Sequence, residues 1–211
     1  MEYRTIAARA QAEFVEKRSR FLGLAAPVST AEAAAEMVAQ VRAQHHDARH
    51  NVYAYRLRAG EKRYSDDGEP QGTAGQPILE VLEKSGYTDI LVVVTRYFGG
   101  ILLGAGGLVR AYSNTAALAL GAAQSVVMQE HRLFTVPTPY AEYASLKRLL
   151  LRCGGQEKES RFAERVEVDA LLPLERADAF LRGVTELSAG RIIPQERGTC
   201  FVALPQQEDG K

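Results

Sequence analysis

Residues 90–107 read Ile90-Leu91-Val92-Val93-Val94-Thr95-Arg96-Tyr97-Phe98-Gly99-Gly100-Ile101-Leu102-Leu103-Gly104-Ala105-Gly106-Gly107. The first five residues form an unbroken apolar run that is rich in valine and too short for a helix, so we predict a central strand buried on both faces. Residues 95–97 carry this strand outward to a glycine-rich connection. A helix then follows, and one of its faces is formed by Leu108, Tyr112, Ala116 and Leu120.

The residues before this unit predict a strand, a helix, a second strand and a second helix. Apolar residues with basic interruptions over 13–28 indicate one strand, and the capping box at 29–32 opens a helix that ends near His45. Residues 51–58 suit a half-buried strand that is followed by a turn and a polar loop. Pro77 suits the first turn of the next helix, which ends at Gly86.

The pattern changes after residue 125. We predict a strand to Val136, a turn at 137–139, a helix to Cys153, two strands within 156–172, a helix around Phe180 and a last strand over 191–204. This β-α-β-β-α-β order is that of a ferredoxin-like sandwich, so the chain is expected to be α+β with domains 1–125 and 126–211. Residues 206–211 are expected to form a frayed tail.

Composition excludes several classes of protein. With 46% hydrophobic and 25% charged residues the chain is expected to fold throughout, and a formal net charge of zero means that any nucleic-acid site must be local. No apolar run is long enough for a membrane span and the start lacks a signal-peptide pattern, so a cytoplasmic, non-membrane protein is expected. Cys153 and Cys200 support no disulfide framework.

The glycine loop does not fit the known nucleotide fingerprints. A P-loop needs lysine after its second anchoring glycine, where this chain has Ala105, and the dinucleotide fingerprint needs glycine or alanine where it has Val109. Two interpretations remain open. The loop can hold an anion on its backbone amides at the start of a helix, or its glycines can serve turn geometry and close packing.

An acidic loop precedes the second predicted helix and carries the weak catalytic candidates Ser65, Asp66, Asp67 and Glu69. Clustered acids can recruit a magnesium ion or do acid–base work, whereas a solvated, helix-capping loop is the plainer interpretation, and both stay open. His46 and His50 flank a motif similar to that of zinc proteases, but no third ligand follows. We therefore expect neither a metal nor a cofactor.

Four ordered blocks resemble the YigZ/IMPACT family, namely residues 17–21, 47–50, 65–75 and 96–108. The resemblance implies a first domain like domain IV of elongation factor G and like a small-subunit ribosomal protein domain. It implies a second domain like domain V of the same factor. Eukaryotic relatives act in translational control by competing for a partner of a stress kinase, whereas the bacterial members have no settled biochemical role.

The leading hypothesis is a translation-related, non-enzymatic factor that binds RNA or the ribosome, because guanidinium groups and glycine amides suit phosphate. The residues predicted to form that site are Arg18, Arg20, Arg49, His50, Arg96, Gly99, Gly100, Gly104, Gly106 and Arg110. One alternative is a small-molecule hydrolase that uses the acidic loop. The other is a protein-interaction module that docks through the exposed sheet of the second domain.

Overall fold

The computed structural model describes residues 1–204, which form ten strands and five helices. The chain divides into two compact units, one made of residues 3–127 and the other of residues 1–2 with the chain from residue 128 onward. The mixed α+β class predicted from the sequence is confirmed. The tail expected at residues 206–211 lies outside the described residues.

The first unit contains a five-stranded sheet in the order β2-β3-β6-β4-β5. The elements up to residue 121, in chain order, are β1 (Glu2–Ile6), β2 (Ala10–Glu16), β3 (Ser19–Pro27), α1 (Ala31–Gln44), β4 (His50–Arg56), β5 (Lys62–Ser65), α2 (Gly75–Ser85), β6 (Ile90–Tyr97) and α3 (Ala105–Gly121).

The apolar run forms β6, the middle strand of this sheet, as predicted. It pairs with β3 on one side and β4 on the other. Val92 and Val94 face a core shared with α2 and α3, while Leu91 and Val93 face a second core shared with α1. Alternate side chains of an extended strand point to opposite faces, so burial of the whole run requires helices on both sides of the sheet.

One prediction about the start of the chain was wrong, and one strand there was missed. The single strand expected over 13–28 is a hairpin, in which β2 and β3 pair antiparallel across a turn at Lys17 and Arg18. Both turn residues have positive φ, 45° and 67°. Asparagine or glycine at these positions would have indicated such a turn, whereas lysine and arginine do not. β1 was not predicted.

Two local boundaries also differ from the predictions. α1 is capped by Thr30, whose side chain accepts a hydrogen bond from the amide of Ala33, so the N-cap lies one residue later than the capping box indicated. The polar segment after the turn at 59–61 contains β5, which pairs with β4 although its residues are largely exposed. An edge strand facing solvent has little apolar pattern, which explains why it was missed.

The second unit contains β7 (Ser125–Thr138), α4 (Tyr140–Arg152), β8 (Gln156–Phe162), β9 (Val166–Pro173), α5 (Leu174–Ser188) and β10 (Gln195–Ala203). The element order is the predicted β-α-β-β-α-β, and adjacent strands pair antiparallel in the order β10-β7-β9-β8. Both helices pack on one face of this sheet around Phe134 and Phe180. The turn predicted at 137–139 is wrong, because β7 continues through Thr138.

Within residues 1–204, no helix is long and apolar enough to cross a membrane. Both cysteines are free thiols and half-buried.

Candidate functional site

The sequence blocks singled out above come together at one end of the first unit's sheet, which we call the motif end. It consists of the start of β3 (18–21), the start of β4 (49–51), the acidic loop (65–75) and the chain from the end of β6 into α3 (96–107). Strand pairing brings the first two blocks beside β6, since Arg96 lies opposite Phe21 on one side and opposite His50 on the other. The acidic loop leaves β5 at the same end.

A buried polar cluster joins the acidic loop to β6 and α3. Oε1 of Glu69 accepts hydrogen bonds from Nη1 of Arg96 at 2.6 Å and from the hydroxyl of Tyr112 at 2.8 Å. Glu69 is 8% exposed and Arg96 7%. Burial, and then the neighbouring carboxylate of Glu69, raise the pKa of Tyr112 well above its ordinary value, so its hydroxyl stays a proton donor.

Arg96 differs from the expectation that it is an exposed phosphate ligand. Its guanidinium carbon lies 5.5 Å from the ring centre of Phe21 and 5.6 Å from that of Phe98, so two aromatic rings enclose the charge. Its Nε is buried and has no hydrogen-bond partner among the described residues. Arg96 is therefore a buried support of the motif end, because it contacts β3, the acidic loop and Phe98.

The carboxylates of the acidic loop are bound by the chain itself. Asp66 accepts hydrogen bonds at 2.8–3.1 Å from the amide of Gly72 in the loop and from the amides of Ala74 and Gly75, which are free donors at the start of α2. Asp67 accepts from the amide of Asn51 at 2.6 Å and from Arg42.

His50 is held by the same loop. Its Nδ1 lies 2.8 Å from the carbonyl oxygen of Asp67. The ring also lies against Gly68, since a Cβ at that glycine would come 3.4 Å from Nδ1. His50 therefore ties the start of β4 to the acidic loop.

These contacts leave little for the hydrolase hypothesis. Ser65 Oγ accepts a hydrogen bond from the amide of Asp67 at 3.2 Å, so it is part of the turn and not paired with a base. Among residues 1–204, no group of three or more histidines, cysteines and acids could hold a metal ion. His46 is largely exposed and lies 3.7 Å from Asp47. The catalytic candidates Ser65, Asp66, Asp67 and Glu69 thus stabilise the loop.

Gly99 is required by close packing. A Cβ at this position would lie 2.1 Å from the carbonyl carbon of Arg18, which is far inside contact distance, and the amide of Gly99 donates to Ser19 Oγ at 3.2 Å. The glycine therefore lets the β2–β3 turn lie directly against the end of β6. Gly100 and Gly104 have φ of 83° and 72°, where other residues are strained.

The N-terminus of α3 lies at the motif end and is open. Tyr112 contacts Phe21, and later residues of the helix pack against Gly23, so α3 runs away from this end along β3. Gly104 is the N-cap and the first turn contains no acid. Within residues 1–204, no side chain hydrogen-bonds to the amides of residues 105–107. Residues 104–106 are exposed. The free amides and the helix dipole thus favour an anion here.

The other four arginines of the predicted site fall into two groups. Arg20 is bound to Glu13 by two hydrogen bonds of 2.8 and 3.2 Å. Arg18, Arg49 and Arg110 are exposed and make no ion pair with any described residue. A Cβ placed on Gly106 would lie 3.8 Å from Nη1 of Arg110, so this guanidinium lies beside the first turn of α3.

Two residues at this site were missed in the sequence. Tyr112 was assigned only to a helix face, and its bond to Glu69 could not be foreseen because the two residues are 43 positions apart. Phe98 was quoted only as part of a motif, although it is 47% exposed at the centre of the motif end. The one available signal was its position, an aromatic residue between a buried strand and two glycines.

The sequence that forms this sheet and its motif end matches the model of a known domain family. Residues 17–120 match the family model of the Impact N-terminal domain, and residues 138–191 match a domain of unknown function, DUF1949. The chain is 36% identical to IMPACT family member YvyE of Bacillus subtilis over 90% of this chain and 88% of that protein. It is 37% identical to IMPACT family member YigZ of Escherichia coli over 83% and 88%. The chain therefore belongs to the IMPACT family.

Other similarities agree with this assignment. Protein IMPACT of Rattus norvegicus is 34% identical over 44% of this chain and 31% of its own length. A crystal structure of a hypothetical protein superposes with a TM-score of 0.67 at 34% identity, covering 92% of this chain and 96% of that one. The bacterial relatives thus match most of the chain, whereas the match to the rat protein spans less than half of it.

Proposed function

We propose that this IMPACT family protein is a translation-related factor that binds the phosphate backbone of RNA, alone or in the ribosome, through the motif end of its first unit. The observation that carries the proposal is the open N-terminus of α3. Its amides have no side-chain cap and no acid in the first turn. Backbone amides at a helix start are good ligands for phosphate.

A comparison within the same unit supports this interpretation. α2 starts at the same end of the sheet, and there Asp66 binds the free amides with its own carboxylate. The free amides at the start of α3 favour an anion in the same way, but α3 itself contains no acidic residue. An external phosphate group can supply what Asp66 supplies to α2.

The charges around this helix start favour a polyanion. The carboxylates of Glu13, Asp66, Asp67 and Glu69 are each bound by a partner within the unit. Arg18, Arg49 and Arg110 have no such partner among the described residues. The motif end thus offers three unpaired guanidinium groups to an anion although the chain as a whole is neutral.

Fluorescence anisotropy with a labelled RNA hairpin that has single-stranded ends tests the proposal. Each of Arg18→Ala, Arg49→Ala and Arg110→Ala should weaken binding, and each should lower the slope of log K against log salt by about 0.7–0.9, because one phosphate contact releases one counterion fewer. Arg182→Ala is the matched control, an exposed arginine of α5 without an ion pair among the described residues.

Either of two results would contradict the proposal. It fails if the wild-type protein binds neither this RNA nor ribosomal subunits at low salt. It also fails if the Arg182→Ala control lowers the salt slope as much as the three motif-end variants do.

A further inference from the structure

An exposed aromatic ring stands at the centre of the motif end. Phe98 follows the last residue of β6, is 47% exposed, and precedes Gly99 and Gly100. Large exposed apolar side chains cluster in the same connection, since Ile101 is 42% and Leu102 82% exposed. An apolar surface of this kind in a loop that faces solvent points to a binding role.

The ring of Phe98 is held in place from one side. The guanidinium of Arg96 lies over it at 5.6 Å from the ring centre. Arg96 is itself fixed by the 2.6 Å bond to Glu69 and by its contact with Phe21. The ring therefore rests on a buried, anchored cation, and its exposed part is oriented before any ligand arrives.

Two unpaired arginines lie in the chain segments next to this ring. The β2–β3 turn brings the backbone of Arg18 into contact with Gly99, the residue after Phe98. Arg49 precedes His50, which pairs opposite Arg96, so the backbone of Arg49 enters β4 at the same end of the sheet. Neither arginine has an ion pair among the described residues.

Nucleic-acid bases provide the chemistry that fits an exposed aromatic ring with unpaired arginines in the adjoining segments. Each base has a π face that stacks on an aromatic side chain, while the neighbouring phosphates meet the arginines. A protein partner with an apolar surface would match Phe98 and Leu102, but it would leave the arginines without counter-charges. Paired bases in a duplex already stack on each other and have no face to offer.

We propose that the motif end recognises single-stranded RNA by stacking an unpaired base on Phe98, with Arg18 and Arg49 binding phosphates of the same strand. This inference rests on the proposed function and adds the form of RNA that the site takes. It assigns a specificity-determining role to Phe98 and a supporting role to the Glu69–Arg96 pair beneath it.

The test compares three labelled RNA probes with equal numbers of phosphates: a single strand, the same strand with abasic nucleotides, and a duplex. The full chain should bind the single strand more tightly than the other two at equal salt. Phe98→Ala should weaken binding of the single strand by roughly 5- to 150-fold, the range that base–aromatic stacking supplies, and should leave binding of the abasic strand unchanged.

Three further variants separate stacking from other effects. Phe98→Tyr keeps a ring and should retain single-strand binding, whereas Phe98→Leu keeps apolar bulk and should lose it. Phe162→Ala removes an exposed aromatic residue of the second unit, 60% exposed, and should change nothing. A thermal melt of each variant, which should match that of the wild type to within a few degrees, checks that a loss of binding is not a loss of folding.

The outcomes distinguish this inference from the proposed function. If the abasic strand or the duplex binds as well as the normal single strand, or if Phe98→Ala has no effect, base stacking is wrong. In that case an arginine-dependent salt slope would leave the phosphate-binding function standing. If no RNA probe binds at any salt concentration, both proposals are wrong.

Discussion

Arg96 was predicted from the sequence as a phosphate ligand, but its surroundings are those of a buried structural residue. An arginine beside a glycine loop suggests a phosphate ligand, yet here the guanidinium is buried, bound to Glu69 and enclosed by Phe21 and Phe98. Removal of one partner from such a pair leaves an uncompensated charge inside the protein, which typically costs about 3–5 kcal/mol. The pair therefore fixes the geometry of the motif end.

Gly99→Ala is predicted to destabilise the first unit, because the new Cβ would lie 2.1 Å from the carbonyl carbon of Arg18. The β2–β3 turn would have to move, at a cost on the order of 1–3 kcal/mol typical of overpacking. Gly121→Ala is the matched control, since Gly121 ends α3 in open space and alanine favours the helix. Urea denaturation measures both changes, and equal stabilities of the two variants would contradict the packing argument.

At this scale the residue types predicted which blocks of the chain form the candidate site, but they did not predict the contacts that these residues make. Glycines at 99–107 and arginines at 18, 49 and 110 were identified from their types, because phosphate chemistry restricts the choice of residue. The contact of Gly99 with Arg18 could not be predicted, since it depends on a turn in which lysine and arginine both have positive φ. The pairing of Tyr112 with Glu69 depends on the packing of α3 and likewise has no local signal.

At the scale of elements, β6 was the most predictable feature because its burial on both faces demands an unbroken apolar run. α2 and α3 were also predictable, from proline and glycine at their ends and from their apolar faces. The β2–β3 hairpin and β5 were not, because both lie at the solvent-facing edges of the sheet, where charged and polar residues blur the alternation.

An ion pair on the sheet of the second unit should make the stability of the folded protein depend on pH. Asp169 on β9 accepts hydrogen bonds from Arg161 at 2.8 and 3.2 Å and from Thr135 at 2.7 Å. The bond from Arg161 is the largest cause that holds the pKa of Asp169 below its ordinary value. A carboxyl group whose pKa is depressed by folding stabilises the folded state above its unfolded pKa, and this contribution disappears as the pH falls through the folded pKa.

Asp169→Asn should therefore lower the melting temperature at neutral pH, and the difference from the wild type should shrink as the pH is taken from about 4 down to about 2. Thermal melts of the two proteins across this range measure the effect. A difference that stays constant with pH, or grows on acidification, would show that the charge of Asp169 does not contribute to folding.

At the scale of the whole molecule, the two units differ in how their exposed surfaces are built. The described part of the second unit covers its sheet face with ion pairs such as those of Arg161. The first unit leaves arginines unpaired around an open helix start and an exposed ring. The family match through the first unit, residues 17–120, spans every block of the motif end. We infer that RNA binding belongs to this unit.

The most direct test of this account is a titration of the isotopically labelled full chain with single-stranded RNA, followed by amide NMR shifts. The account predicts that the amides of Ala105, Gly106 and Gly107 shift strongly and saturably, together with those of residues 98–100, while the Asp66-bound amides of Ala74 and Gly75 and those of α5 stay in place. Shifts confined to the second unit, or no shifts at low salt, would contradict it.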